Sequence, residues 1–292
     1  MNNIKETDFP SLFTSADNAS IKARKTDIRW VQIQLGSLLV AAFASAFTIN
    51  EKPLSIWITV FISVALLLSI IATWASKMQN SKNNWQRCRT LAESIKRISW
   101  FYIMRANQFF GLSESEANNV FLAEMANLVK QNEDFIAEIC LFQTSETVIS
   151  DNMRTIRNLN AAERNSIYLT GRLQDQVSWY FRKAKSNKIT GNRGQSFIIL
   201  AQVLGIAGAI YTLSIPASNF NPEGLFVNVA LIIISWMEYQ RYQQLSKLYS
   251  VTANKLQLMI DQTRNISDDS KLSQFITQSE SEMEKEQFYW TL

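Results

Sequence analysis

The sequence predicts an all-α membrane protein in which two transmembrane helical hairpins, four spans in all, continue into long cytoplasmic stalk helices and a helical bundle. Three observations predict it. The four prolines are Pro10, Pro53, Pro216 and Pro222, so nothing between residues 54 and 215 interrupts a helix in that way. Four stretches, residues 30–50, 54–76, 195–215 and 224–237, are strongly apolar and carry no charged residue. Basic residues flank both pairs of stretches: Lys22, Arg24, Lys25 and Arg29 precede the first pair, Lys77, Lys82, Arg87 and Arg89 follow it, and the turns inside the pairs hold only Lys52. By the positive-inside rule both termini and the middle of the chain are then cytoplasmic.

Composition narrows the chemistry. The 292 residues contain no histidine, which removes His-centred triads and imidazole metal sites. Cys88 and Cys140 are too few for a disulfide framework or a thiolate zinc site. The eight glycines never fall in a dinucleotide-binding or phosphate-loop pattern. No catalytic residue, metal or cofactor is therefore expected, and the chain is read as a non-enzyme. A net charge of +4 beside 25 acidic residues makes no uniform basic stripe, so direct nucleic-acid binding is not expected.

Residues 1–29 form a cytoplasmic segment without an apolar leader core, so the first span itself is expected to direct insertion. Residues 30–110 make a first two-span unit with its stalk. Its charge-free runs reach roughly 31 and 35 Å as helices, against about 30 Å of hydrocarbon. Past the second run, Trp85, Cys88, Ala92, Ile95, Ser99 and Tyr102 recur at helical spacing, which predicts one uninterrupted helix from the membrane to residue 110. Residues 111–160 are a helical connector, opened by a capping box at Ser113–Glu116 and with a buried face of Val120, Phe121, Leu128 and Val129. Residues 161–266 repeat the plan behind a second box at Asn160 and Glu163, with the Gly191-Asn192-Arg193-Gly194 run predicted to break the entry helix. The fourth charge-free run covers only about 21 Å and needs roughly another turn, which brings Glu238 to the membrane boundary. Residues 267–292 read as a solvated, acidic and aromatic tail ending in Phe288, Tyr289 and Trp290.

Several segments resemble a known group, the two-transmembrane SLATT (SMODS and SLOG associating) effector proteins of bacteria, in a tandem form with two SLATT-like units. Trp85-Gln86-Arg87-Cys88-Arg89 and residues 92–106, with Ala92, Glu93, Lys96, Trp100 and Tyr102, are similar to the family's post-membrane helix. Asp151, Met153, Arg154, Arg157, Ala162-Glu163-Arg164 and residues 168–184 are similar to a second-unit entry helix. The resemblance implies an inner-membrane effector of a conflict or antiphage defence system, permeabilising the membrane when a sensor protein or cyclic nucleotide triggers it. It carries over no ligand site.

Polar residues inside spans are the pore-lining or gating candidates: Gln34, with Gln32 beside it, Gln202, Asn228 and Glu238. The amides fit interhelical hydrogen bonds as well as a pore wall, and Glu238 fits either a permeation path or a pair with Arg241. Ser37, Ala41 and Ser45, and Gly205 with Gly208, form small-residue surfaces for close helix packing, within the chain or between copies of a homo-oligomer. Arg87, Arg89, Arg105, Arg154, Arg157 and Arg164 are candidates for a phosphate-bearing ligand or a partner, against leaflet contact or ion pairing in the bundle. A non-conducting scaffold that recruits a cytosolic partner is the alternative function.

Overall fold

A computed structural model describes residues 4–49, 51–134, 136, 147–262, 266 and 268–291, with 262 and 286–291 by backbone alone. The structure is 87% helix and has no strand among the described residues. The helices are α1 (Ser11–Ser45), α2 (Lys52–Gln79), α3 (Ser81–Met104), α4 (Glu114–Gln131), α5 (Asp151–Arg157), α6 (Ala161–Tyr168), α7 (Gln174–Ser214), α8 (Pro222–Gln240), α9 (Tyr242–Gln262) and α10 (Asp269–Thr291). A π turn, Leu169–Leu173, joins α6 to α7. Three helical runs, Ser11–Ser45, Lys52–Phe109 and Ala161–Ser214, are long and apolar enough to cross a membrane. The 19-residue α8 is not among them.

The chain divides into two compact units: unit 1 is Met1–Arg24, Lys82–Lys183 and Leu248–Leu292, and unit 2 is Lys25–Ser81 and Ala184–Lys247. They are packed by opposite rules. Unit 1 buries large side chains, among them Trp100, Tyr102, Phe109, Phe121, Tyr168 and Phe275, as a water-soluble core does. Trp100 stacks edge-on against Tyr168, and Tyr168 against Phe275, with ring centroids 5.5 and 6.1 Å apart. Unit 2 is inverted. On α2 the buried residues are Ala65, Ser69 and Ala72, whereas Trp57, Phe61, Leu67, Ile70 and Trp74 are exposed. On α1 Ala41 and Ala42 are buried, as is Ala46 just past its end, and Val40 and Phe43 are exposed. Water would penalise so much contiguous apolar surface, while lipid rewards small residues between helices and large ones outside.

Both capping boxes form, Ser113 with Glu116 and Asn160 with Glu163, and Pro53 and Pro222 occupy the first turns of α2 and α8. The stalk stripe is buried in α3 at Cys88, Ala92, Ile95, Ser99 and Tyr102, with Trp85 half-buried. Four expectations are corrected. The second span and its stalk are not one helix, because Asn80 takes a left-handed conformation (φ 47°) between α2 and α3. Gly191 and Gly194 do not break α7; a Cβ on Gly191 would meet Gln243 and Tyr242, and one on Gly194 would meet the Met237 thioether, so here glycine permits close approach. The buried face of α4 is Ala117, Phe121 and Met125, at four-residue spacing, with Val129 exposed. The tail is helix α10, with Leu272, Ile276, Ser279, Glu280 and Met283 buried; the side chains of Phe288, Tyr289 and Trp290 lie outside the described residues, as does Cys140.

A left-handed residue is costly when it carries a Cβ, least so for Asn and Asp, and glycine escapes the cost by having none. Asn80→Gly should therefore hold or raise stability, and Asn80→Val should lower it by about 1–2 kcal/mol, read as thermal unfolding of the purified chain in detergent.

Candidate functional site

In unit 2 the polar candidates fall on different surfaces. Gln34 is half-buried, whereas Gln202, Asn228 and Glu238 are exposed. Asn228 turns its amide back to the Gly224 carbonyl at 2.8 Å, while Gln202 makes no side-chain hydrogen bond among the described residues. Glu238 does not pair with Arg241; Arg241 is itself left-handed (φ 54°), and its Nε donates to Gln244 Oε1 at 2.6 Å. Glu238 instead lines a cavity of about 210 Å³ with Gln195, Met237, Arg241 and Gln243. Ala41 is buried, while Ser37 and Ser45 return their hydroxyls to their own helix, at Gln34 and Ala42. A Cβ on Gly205 would meet Phe226 and Val227 at ordinary contact distance, whereas Gly208 lies so close to the backbone of Pro222 and Glu223 that a Cβ would clash, so Gly208 serves a close contact within the chain.

Two ties in unit 2 had no sequence signal. The buried Asp27 carboxylate accepts the Tyr239 hydroxyl, and Trp30 Nε1 donates to Gln79 Oε1 at 2.9 Å. The linkers after α1 and α7 also bond to each other, Thr48 N to Asn219 O at 2.7 Å and Asn221 N to Ala46 O at 2.8 Å, around a single bridge between Phe47 and Phe220.

In unit 1 the arginine candidates separate by burial. Arg157 and Arg164 are each 1% exposed and serve the fold. Helix α3 ends at Met104, where Arg105 turns left-handed (φ 53°), so its last carbonyls lack intrahelical partners. Arg157 Nη1 donates to the Tyr102 carbonyl and Arg164 Nη1 to the Met104 carbonyl, putting two positive charges on the negative end of the helix dipole. Arg164 also pairs with Asp269 of α10. Burial holds the Arg157 guanidinium down to about 10 and that of Arg164 below its ordinary value, with Tyr102 and Asp269 respectively opposing the shift. Of the two readings open for these arginines, both guanidiniums follow pairing within the bundle here. Arg105 reaches Asn158 at 3.3 Å, and Arg87 and Arg154 are exposed. Arg89 lines a cavity in unit 1.

That cavity, about 220 Å³, lies between α1, α3, the π turn, α7 and α10, and its chemistry sits outside the apolar stretches. On its wall Arg89 bridges Asp17 at 3.1 Å and Glu93 at 2.6 Å. Arg172, delivered by the π turn, gives Nε and Nη2 to the two oxygens of Glu280, each at 3.0 Å. Tyr168 adds its hydroxyl to the same carboxylate at 3.0 Å. Arg172 and Glu280 are 3% and 1% exposed, a fully desolvated pair. Burial works against the Arg172 charge, but the Glu280 carboxylate outweighs it and holds the group above its ordinary range. Burial first, and then Glu280, pushes the Tyr168 phenol well up. Lys96 makes no ion pair among the described residues, and its Nζ lies 5.5 Å from the centre of the Phe13 ring. Burial, helped by Arg172, pulls its ammonium below the usual lysine range.

Two family models cover almost the whole chain. SMODS and SLOG-associating 2TM effector domain 3 matches residues 10–165, and SMODS and SLOG-associating 2TM effector domain 1 matches residues 168–290. The chain belongs to the SLATT family. It carries two SLATT domains in tandem, as the residues around Trp85 and Asp151 led us to expect. No curated protein and no solved structure matches it.

The two SLATT domains share one local plan. Each has a long helix (α1, α7), a helix with proline in its first turn (α2, α8), a left-handed residue directly after that helix (Asn80, Arg241) and an amphipathic helix (α3, α9). The functional group that the sequence reading missed is Glu280. Leu272, Phe275, Ile276, Ser279 and Met283 were the available signal, a stripe at helical spacing on which Glu280 is the lone acid. An acid on an apolar stripe requires a buried partner.

Proposed function

We propose that this SLATT protein is a membrane-permeabilising effector of a bacterial conflict or antiphage defence system, acting as a homo-oligomer in the inner membrane when a sensor protein or nucleotide signal triggers it. Its action is physical rather than catalytic. α1, α2, α7 and α8 supply four spans in two hairpins, with both termini cytoplasmic. The effector and 2TM descriptions of both domains support this reading, as does the lipid-adapted packing of unit 2.

The observation that carries oligomerisation is Gln202. It sits mid-way along the third apolar stretch, exposed on the chain's own surface and without a partner among the described residues. An amide facing hydrocarbon is unfavourable unless another copy or a water-filled path receives it. Both fates follow from assembly into a pore. Gln202→Leu should therefore weaken self-association in detergent by about 0.5–2 kcal/mol and reduce membrane depolarisation in induced cells. A variant that associates and depolarises like the parent refutes this placement of Gln202.

A further inference from the structure

The unit 1 cavity has an unbalanced inventory of donors and acceptors. Its inner carboxylates are committed: Asp17 and Glu93 to Arg89, and Glu280, just behind the wall, to Arg172 and Tyr168. Its inner donors are not. Among the described residues Lys96 makes no ion pair, having the Phe13 ring beside it and the Glu93 and Glu6 carboxylates only beyond pairing distance, and Arg172 Nη1 is buried with no acceptor. Counting Arg89, Lys96 and Arg172 against Asp17, Glu93 and Glu280 leaves the interior formally neutral, so room for added negative charge is small. At the rim Glu6 and Asp175 are exposed and would repel a polyanion. Trp85 and Trp179 line the same cavity, with Arg24 and Lys183 each over one ring at 4.7 and 5.7 Å. The π turn that presents Arg172 is a departure from α geometry of the kind that persists at functional sites.

We propose that this cavity binds one small ligand made of a planar ring and a single anionic group, with the anion on Lys96 and Arg172 and the ring against the indoles of Trp85 and Trp179. The volume sets the scale. About 220 Å³ is less than the roughly 300–1,000 Å³ that encloses a drug-sized molecule, so a dinucleotide does not fit. A phosphodiester on a nucleoside and a carboxylate on an aromatic ring share the required chemistry. The site is independent of permeabilisation, because binding is read on the purified chain without a current.

The test is calorimetric titration of the full chain in detergent with 3′,5′-cyclic AMP, indole-3-acetate, ATP and inorganic phosphate. Saturable binding is expected for one of the first two, which identifies the anion as phosphodiester or carboxylate, with ATP and phosphate at least about tenfold weaker. Lys96→Met should lower that affinity about tenfold or more, and Trp179→Leu should lower it while leaving phosphate unaffected. Should Lys96→Met fail to fold, Asp175→Asn at the rim serves, and should narrow the gap between ATP and the tighter ligand. Absence of saturable binding by both ring monoanions up to about 10 mM overturns the proposal, as does unchanged affinity in a folded Lys96→Met.

Discussion

Glu280→Ala is expected to destabilise unit 1 by about 3–5 kcal/mol, a large part of the stability of an ordinary domain. The carboxylate accepts from Arg172 Nε, Arg172 Nη2 and Tyr168 Oη, all at 3.0 Å and all out of water. Removing it strands a guanidinium that is 3% exposed and whose Nη1 already has no hydrogen-bond partner among the described residues. The loss reflects the orphaned charge more than the value of the pair, because desolvating both ions offsets most of their attraction. Replacing both, as Arg172→Leu with Glu280→Leu, should recover most of the stability lost in the single variant. Denaturant titration of the detergent-solubilised chain measures this. A single variant within about 1 kcal/mol of the parent would mean that α10 is not anchored through Glu280.

The second large effect is expected at Gly208, where a Cβ would lie 2.7 Å from the backbone nitrogen of Glu223 and 3.0 Å from the Pro222 carbonyl carbon. Backbone at the start of a helix has nowhere to go, and Thr212 holds the same corner through its hydrogen bond to Glu223. Gly208→Leu should therefore push α7 and α8 apart at a cost of about 3 kcal/mol or more, and Gly208→Ala about 1–3 kcal/mol. Gly194 is the control. Its added Cβ meets only the flexible thioether of Met237, which has three rotatable bonds and can swing aside, so Gly194→Ala should cost less than about 1 kcal/mol. Thermal unfolding in detergent and protease cleavage of the 215–221 linker would report both. Equal sensitivity at the two glycines would contradict the close approach at Gly208.

Much of the fold was legible because the strongest signals were single-residue facts. Four prolines confined to the ends of elements left helix as the rule, and the charge-free runs marked out where helices α1, α2, α7 and α8 are apolar. The stalk stripe on α3 and both capping boxes were equally local, and they formed. The joints were illegible for a physical reason. Asn80 and Arg241 adopt left-handed backbone without glycine or proline, so tertiary packing decides their conformation. Conversely, Gly191 and Gly194 looked like a break and are points of close approach, a distinction that depends on Tyr242, Gln243 and Met237 some 40 to 50 residues away in sequence. The site was legible only in part. Arginine content was visible, yet whether a guanidinium meets a ligand or a helix end depends on where α3 stops. That stop, at Met104, turned Arg157 and Arg164 into caps and left Arg89, Lys96 and Arg172 in the cavity.

The permeabilising reading joins the inverted packing of unit 2 to the effector domains, and the membrane potential tests it most directly. Bacteria carrying this chain under graded induction, with and without phage challenge and its genomic neighbours, should depolarise before growth stops, and Gln202→Leu should blunt the response. A potential that holds steady through growth arrest in every condition would contradict permeabilisation and leave a scaffold that recruits a cytosolic partner.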